Sequence, residues 1–282
     1  MDTRITYTNH KGESLTFGSG DDLHYFEHEL MDYEWSYSER NGRIAALVKD
    51  IQEKSFPVGI AAETEAQGLA IRNRLYEIAD IDVMAMSPGV LTIGDWTLEC
   101  YVIRSETDMY WMDDRYAEFD LTLLVESPFW IKQITHTYSK RTGQGEANNF
   151  LNFPYNFKYN YTRKWTTQSV TNDAMSSCDF ILRVYGPAVK PYVMIANNIY
   201  EVDVTVPVGA RLEINSREQT IRIIDEAGRI TNVYNARKLG RKGSGSYIFE
   251  KIPTGYSVIS WSNGFSFDLV LLYERSVPEW VA

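Results

Sequence analysis

The sequence predicts a mainly β protein, and three observations support this. Aromatic residues make up 13% of the 282 residues, with 19 Tyr, 12 Phe and 7 Trp, and these types favour pleated, half-buried strands. Apolar and polar residues alternate in many segments with the period of two that is typical of strands. Only one segment has the period of an amphipathic helix. We therefore expect a first half that combines strands with one helix, and a second half that is nearly all strand.

The predicted helix runs from Glu65 to about Ala79. Thr64 and Gln67 form the pattern of a capping box at its start. Polar residues that should face water lie off its apolar stripe, namely Arg72, Asn73 and Glu77. The stripe itself follows helical spacing and should lie on a sheet; it consists of Gly68, Ile71, Leu75 and Ile78.

Two tight turns predict hairpins in the first half. Alternating aromatic residues from Tyr33 to Tyr37 lead to Asn41-Gly42, a strong hairpin signal, and the return strand runs from Arg43 to Lys49. Gly94-Asp95 suits a type II′ turn. The strands expected around that turn and at the end of this half are Val90 to Ile93, Trp96 to Ile103 and Tyr116 to Val125.

A change of texture predicts a domain boundary near residue 135. We therefore assign residues 1–135 to an N-terminal domain and residues 136–282 to a C-terminal domain. A polar stretch occupies residues 141–149, and aromatic residues alternate along residues 150–161. This second stretch is expected to be an extended arm that packs one face on a neighbour or on its own domain.

Short strands at regular spacing predict a β-sandwich in the C-terminal domain. A tight turn is expected at Asn197-Asn198 and another at Gly228. The last strand, Phe265 to Tyr273, has one fully apolar face and one mixed face, which favours a central position. The other expected strands are Phe180 to Val184, Val193 to Ala196, Ile199 to Val202, Leu212 to Ile214 and Ile221 to Ile224.

The overall charge and the cysteine content narrow the functional classes. The formal charge is −10 and the sequence pI is about 5.0, which disfavours non-specific binding to nucleic acid or to an anionic membrane. Cys100 and Cys178 are too few for a disulfide framework; one long-range disulfide is the alternative, but we expect two buried thiols. The N-terminus lacks a targeting pattern and the apolar stretches are shorter than a membrane helix, so we expect a protein that folds in a cytoplasm without membrane insertion.

The sequence predicts no catalytic, metal or cofactor-binding residues. His24 and His28 would share a face on a helix, but no third ligand stands near them, so a solvated or interface turn is the preferred interpretation. Gly240 to Ser246 combines Gly, Lys and Ser in an order that does not form a phosphate loop, and Lys238 to Ser246 is expected to be a mobile basic loop. A wall hydrolase would need a close carboxylate pair or a zinc site, and no pair stands out.

Three stretches of the sequence resemble the distal tail protein family (Dit) of long, non-contractile-tailed bacteriophages. Glu126-Ser-Pro-Phe-Trp130 is similar to the family's hinge, with Ser127 in place of its aspartate. Asn152 to Tyr161 resembles a repeated Phe-Pro-Tyr-Asp/Asn pattern. The third stretch follows the family's order of strands and turns and includes Leu182 to Pro187, Ile252 to Tyr256 and Phe267 to Tyr273.

The resemblance implies both architecture and function. It implies an N-terminal β-sandwich-like domain with one helix, which assembles into a hexameric ring, and a C-terminal galectin-like or carbohydrate-module-like β-sandwich. In that family the ring is a structural hub at the distal end of the virion tail. Its partners there are the tail tube, the tail-associated lysin or fibre and the receptor-binding proteins, without cofactors or specific nucleic-acid binding, although DNA passes through the ring.

Exposed aromatic residues are the expected anchors of such assembly, because Tyr and Trp dominate protein interfaces. Trp35, Tyr37, Tyr110 and Trp111 are candidates for that role or, alternatively, for the domain core. A second interpretation of the whole chain is a carbohydrate-binding module that recognises the host cell wall. In that case Trp261 or Tyr256 would be the stacking platform for sugar.

Overall fold

The computed structural model describes residues 4–18, 22–107, 115–140, 165–262 and 264–279. The chain divides into two compact units. Unit 1 comprises Met1–Lys132 and Glu274–Ala282, and unit 2 comprises Gln133–Tyr273. The sequence predicts a division near residue 135 with all later residues in the second domain, whereas the end of the chain groups with unit 1. The arm expected at 150–161, Tyr110 and Trp111 lie outside the described residues.

Unit 1 is built from strands and one helix, as the sequence predicts. A 3₁₀ turn, Glu29–Met31, precedes its hairpin, and helix α1, Glu65–Ala85, follows its longest early strand. The described strands are, in chain order, β1 Ile5–Thr8, β2 Ser14–Phe17, β3 Leu23–Tyr25, β4 Ser36–Arg40, β5 Arg43–Val48, β6 Gln52–Ala61, β7 Gly89–Ile93, β8 Trp96–Thr107, β9 Tyr116–Val125 and the start of β10, Trp130–Tyr138.

The long strand β8 belongs to two sheets of unit 1. One sheet has the order β10–β8–β7–β1–β2, and the other has the order β3–β6–β9–β8. β8 pairs with β7 as far as Cys100 and with β9 from Tyr101, and a register shift follows between Val102 and Arg104, where a bulge lets a strand bend. Every second residue of β9 is buried from Ala117 onward. Apolar side chains of both sheets therefore fill a core between them, which helix α1 covers.

Helix α1 begins where the sequence predicts but is six residues longer. Thr64 Oγ1 accepts a hydrogen bond from Gln67 N at 3.3 Å, and the helix ends at Met86 in the left-handed conformation with φ 50°. The stripe of apolar residues ends before Asp82, so the sequence pattern does not predict the last turns of α1. Arg72, expected in water, is only partly exposed because its guanidinium lies 5.9 Å from the Tyr76 ring centroid.

Asp82 extends the buried face of α1 because its carboxylate is fully satisfied inside the protein. It accepts hydrogen bonds from Tyr7 Oη at 2.5 Å and from His10 N at 2.9 Å, and His10 Nδ1 lies 2.6 Å from the same carboxylate. Burial, followed by the hydrogen bond to Asp82, raises the pKa of Tyr7 above its usual range. The three groups tie the end of α1 to β1 and the turn after it.

Unit 2 is a β-sandwich. One sheet has the order β19–β18–β17–β12–β21–β10, the other has the order β11–β20–β14–β15, and β13 pairs with β16. The strands that follow β10 are β11 Trp165–Asn172, β12 Asp179–Tyr185, β13 Ala188–Val189, β14 Tyr192–Ile195, β15 Asn198–Glu201, β16 Thr205–Val206, β17 Arg211–Asn215, β18 Thr220–Ile224, β19 Ile230–Asn232, β20 Gly255–Ser262 and β21 Phe267–Arg275.

The turn between β14 and β15 lies one residue earlier than the sequence predicts. Ala196 and Asn197 occupy it, with φ 48° and 66°. Asn198, expected in the turn, starts β15 instead, where its Nδ2 donates to Tyr247 O at 2.9 Å. The hydrogen bond to a distant loop residue thus decides which of the two adjacent asparagines lies in the turn.

Aromatic rings fill the centre of the sandwich. Trp261 is fully buried, its ring lies edge-on to Tyr138 and Phe267 at 5.8 and 5.1 Å between centroids, and its Nε1 donates to Phe265 O. β21 lies between β12 and β10, which confirms the expected central position. No helix in the described part of the chain has the length and apolar character that a membrane crossing requires.

The two cysteines are free and buried, as the sequence predicts. Burial, together with the charge of Asp82, raises the pKa of the Cys100 thiol to about 12. Burial also raises the pKa of Cys178 to about 11. Because the thiolate is the reactive form, both thiols are chemically inert at neutral pH.

A charged row crosses one sheet of unit 2. Asp268, Arg183, Glu213 and Arg222 stand directly opposite one another on β21, β12, β17 and β18. The buried Glu213 carboxylate accepts from Arg183 Nε at 3.0 Å and from Arg222 Nε at 3.1 Å. Burial alone would raise the pKa of Glu213, but the two guanidinium groups hold it below its usual value. Its ion pairs join three of the four strands, β12, β17 and β18.

Replacing Asp82 with Ala tests the buried carboxylate. The change leaves the Tyr7 hydroxyl and the His10 amide without their acceptor, so we expect the free energy of unfolding to fall by about 3 kcal/mol. Urea denaturation followed by circular dichroism measures this. Asp80→Ala, at an exposed position of the same helix, should change it by less than about 0.5 kcal/mol, and equal effects of the two substitutions would contradict the assignment.

Replacing Glu213 with Gln tests the charged row through its pH dependence. Since the pKa of Glu213 is lower in the folded than in the unfolded protein, its stabilisation is present above the unfolded pKa of about 4.5 and is lost as the pH falls through the folded value. At pH 7 we expect Glu213→Gln to lower the free energy of unfolding by about 2 kcal/mol. The difference from the unaltered protein should shrink below pH 4; a difference that is constant with pH would contradict the ion pairs.

Candidate interaction surface

The β4–β5 hairpin stands apart from the sheets of unit 1. Its strands pair only with each other among the described strands, and Tyr37 lies directly opposite Leu47. Asn41 and Gly42 form the turn with φ 54° and 72°, so the Asn-Gly signal correctly predicts the hairpin. A two-stranded hairpin is marginally stable in water on its own. This one therefore needs support at its base and cover along its length.

Apolar side chains of the hairpin face solvent. Ten of its eleven strand residues are exposed, including Tyr37 at 69%, Ile44 at 66% and Leu47 at 58% of their surface. Contiguous exposed apolar surface of this kind is typical of protein interaction sites. The sequence predicts one of two roles for Tyr37 and Trp35, interface anchor or core residue. Tyr37 lies on this exposed surface.

A lysine clamp fixes the base of the hairpin. Lys49 Nζ lies 4.6 Å from the Phe129 ring centroid, 5.3 Å from that of Trp35 and 5.5 Å from that of Tyr33. The same nitrogen donates to Pro128 O at 2.8 Å. Each cation–π contact contributes about 0.5–1 kcal/mol at a partly exposed site. Burial, followed by the charge of Lys54, lowers the pKa of Lys49 to about 8.

Trp35 therefore has a structural role at the base and is still partly exposed. Its ring lies edge-on to Phe129 at 5.9 Å. Phe129 and Pro128 belong to the hinge-like stretch Glu126 to Trp130, and Trp130 is itself buried with Nε1 donating to Leu30 O. The stretch that most resembles the family hinge thus holds the hairpin in place.

A second lysine fixes the segment before the hairpin. Lys54 is buried, and its Nζ donates to the carbonyl oxygens of Glu29 and Asp32. Gln52 Nε2 donates to Glu34 O at 3.2 Å. The backbone before the hairpin is consequently bound to β6, the strand into which the chain passes shortly after β5, and the two strands project from this fixed base.

Formal charge is distributed very unevenly between the two units. Unit 1 has 12 Lys and Arg against 27 Asp and Glu, a charge of −15, whereas unit 2 has 16 against 11, a charge of +5. Two of the few cations of unit 1, Arg40 and Arg43, stand opposite each other at the tip of the hairpin. The overall charge of −10 hides this division.

The two histidines considered as metal ligands lie in separate aromatic contacts. His24 is in β3 against Phe26, at 5.1 Å between centroids, and His28 is near Tyr25 and Phe56. Neither lies on a helix, and burial lowers the pKa of both. In the parts of the chain described here, no three His, Cys, Asp or Glu side chains are grouped to hold a metal ion.

The two residues expected to stack on sugar under the alternative interpretation, Trp261 and Tyr256, differ in their exposure to solvent. Trp261 is wrong for that role because it is fully buried in the sandwich. Tyr256 is exposed on β20. The basic loop Lys238 to Ser246, expected to be mobile, is held by hydrogen bonds: Lys238 Nζ donates to Glu201 and Gly243 N donates to Glu250.

Sequence reasoning misses Lys49, Ile44 and Leu47 as functional candidates. The alternation of β4 and β5 predicts strands, but it cannot show that the hairpin lacks a covering sheet. One weak sequence signal of a functional role is the opposed pair of Arg40 and Arg43, because like charges that face each other at a hairpin tip disfavour the hairpin.

Comparisons with known proteins identify the fold. No protein-family model matches the sequence, and no curated protein matches it. A chain of the phage P2 baseplate, in its activated conformation with calcium, aligns with a TM-score of 0.63 and 10% identity over 99% of this chain and 100% of that chain. The strontium form of the same baseplate gives the same values.

The Dit protein of phage SPP1 is also similar to this chain. It aligns with a TM-score of 0.57 and 10% identity over 96% of this chain and 99% of that chain, and it is described as a paradigm of the hub adsorption apparatus in phages that infect Gram-positive bacteria. The alignments span both units. The chain therefore has the fold found in phage baseplate and Dit hub proteins.

Proposed function

We propose that the protein is the distal tail hub of a long-tailed bacteriophage. It would form a ring, hexameric in the family it resembles, that joins the tail tube to the tail tip and the receptor-binding apparatus. The observation that carries this proposal is the β4–β5 hairpin, which has a fixed base and an uncovered apolar surface. The shared fold along nearly the whole chain supports it.

A ring explains why the hairpin is exposed in a single copy. In a closed cyclic assembly each subunit presents two different, matching surfaces to its neighbours. A projecting hairpin is suited to be one of them, because its apolar side chains become buried only when a neighbour covers them. Unit 1 would then be the ring-forming domain, and unit 2 would be a peripheral domain that contacts other tail proteins.

The proposed role is architectural rather than enzymatic. Hub function requires stable contacts with the tail tube, the lysin or fibre and the receptor-binding proteins, and it requires no catalytic residue or cofactor. The most notable buried ionisable groups, Asp82 and Glu213, are already engaged in contacts that support the fold. The location that follows is the distal end of the virion tail.

The first test is the mass of the purified full-length protein in solution. We expect light scattering to give a mass near six chains, with open rings in negative-stain images of the same fraction. A single-chain mass at every concentration, together with an absence of rings on purified tails lacking this protein, would contradict the hub proposal.

The hairpin surface is tested by Ile44→Lys together with Leu47→Lys. Because both side chains are already exposed in the single chain, we expect thermal unfolding of the monomer to change little, while the ring dissociates to single chains. Light scattering and circular dichroism measure the two effects. The control is Val208→Lys with Leu239→Lys, two exposed positions of unit 2, which should leave the ring intact; equal loss from both pairs would contradict the role of the hairpin.

A further inference from the structure

We infer that Asn41, in the turn of the β4–β5 hairpin, is a site of spontaneous modification, at which its side-chain amide is converted to a carboxylate through a cyclic imide. The reactants are the Asn41 side chain, the backbone nitrogen of Gly42 and water. The residues at the turn favour the reaction, and the weak support of the hairpin around them permits it. The modification is independent of the hub proposal.

Glycine after Asn41 leaves the attacking nitrogen unshielded. Among the asparagines that the structure describes, Asn41 alone precedes a glycine. Nothing lies within 4 Å of the position that a Cβ of Gly42 would take, and glycine also gives the backbone more freedom to rotate than any other residue. Both residues are exposed, so water reaches the side-chain amide and the peptide bond that follows it.

The reaction is an internal substitution at Cγ of Asn41. The deprotonated backbone nitrogen of Gly42 attacks Cγ, the new N–C bond closes a five-membered imide, and the side-chain nitrogen takes up protons and leaves as ammonia. Water then adds to one of the two imide carbonyls and opens the ring. Breaking the bond from the nitrogen to Cγ gives aspartate. Breaking the bond to the backbone carbonyl carbon gives isoaspartate, in which the chain runs through Cγ.

The charges at the hairpin tip favour the attack. Arg40 and Arg43 stand opposite each other on the two sides of the turn. A nearby positive charge favours the anionic form of a group, which here is the deprotonated nitrogen of Gly42. The same cations stabilise the negative charge that develops on Oδ1 of Asn41 as the ring closes. The tip therefore brings two cations to the one peptide bond that must lose a proton.

The weak support of the tip allows the turn to open. A closed turn limits the backbone rotation that brings Gly42 N to Cγ, because both turn residues are held at positive φ. The strands β4 and β5 pair only with each other among the described strands, their ladder is irregular between Ser38 and Glu39, and the opposed arginines repel each other. Segments with so little support open locally at a much lower cost than global unfolding.

The two products change the tip in different ways. Aspartate places a negative charge between the two arginines and tolerates the positive φ of the turn. Isoaspartate adds one atom to the backbone, so the two-residue turn can no longer join β4 and β5 in the same register. A chain that stays unassembled therefore accumulates hairpins with altered charge or register, which in the proposed hub limits the time available for assembly.

Incubation of the full-length protein at mildly alkaline pH tests the site. Digestion after glutamate releases residues 40–53, in which mass spectrometry measures the conversion and an isoaspartate methyltransferase detects isoaspartate. A synthetic peptide of the same sequence gives the rate without a fold. We expect folded single chains to react within about thirtyfold of the peptide rate, and a slower reaction would overturn the inference.

Three variants separate the site and its causes. Asn41→Gln cannot close the five-membered ring and should remove the conversion; conversion that persists would assign it to Gln52, in the same fragment, and overturn the inference. Arg40→Glu turns the opposed like charges into an acid–base pair and removes one cation, so we expect a reaction at least threefold slower. Lys242→Glu makes the same charge change at an exposed position of unit 2 and should leave the rate unchanged. Equal slowing by both would overturn the role of the tip charges.

A comparison with the Ile44→Lys, Leu47→Lys variant distinguishes the modification from the hub proposal. If the unaltered protein forms rings that cover the hairpin, the reaction should be slow in the rings and fast in this variant, each measured against a peptide of its own sequence. A slow reaction in both would overturn the modification, whatever the mass of the unaltered protein. A fast reaction in both, with a single-chain mass for the unaltered protein, would support the modification and contradict the hub.

Discussion

The constraint on which the proposed assembly depends is that two strands cannot bury their own side chains. A hairpin without a covering layer exposes both faces, and the β4–β5 hairpin has apolar residues there. Such a surface is tolerated only if the hairpin is held in place and if something else covers it. Lys49 meets the first condition, because one ammonium group contacts three aromatic rings and a backbone carbonyl. A neighbouring subunit meets the second in the function proposed for the protein.

Local signals predicted most of the fold. Asn41-Gly42 and Gly94-Asp95 fixed two hairpins, Thr64 fixed the start of α1, and the alternation of apolar residues located the main strands, because these features depend on neighbours in sequence. The errors arose where distant residues decide the outcome. Asp82 ends the apolar stripe, yet its hydrogen bonds with Tyr7 and His10 keep it in the helix. Asn198 lies in β15 and not in the turn, because it donates to Tyr247 O. Trp261, a sugar platform in the alternative interpretation, is fully buried in unit 2.

The candidate site was less predictable than the fold for the same reason. Tyr37 and Trp35 could be selected as aromatic residues, but their separation into an exposed anchor and a base residue depends on Phe129, almost a hundred positions away. The division of charge was equally hidden, since a strongly acidic unit and a moderately basic unit average to an ordinary acidic protein. In the proposed hub, opposite charges on the two units would favour a different partner for each unit.

The route of the chain through the two units has a consequence for biosynthesis. The chain leaves unit 1 within β10 and returns to it within β21, where Arg275 lies over the Trp96 ring. Residues 274–279 emerge from the ribosome after all of unit 2, so unit 1 cannot be completed until unit 2 has been synthesised in full. A nascent or prematurely terminated chain would lack the strand end that completes unit 1, so translation to the end of β21 is a condition for a complete unit 1.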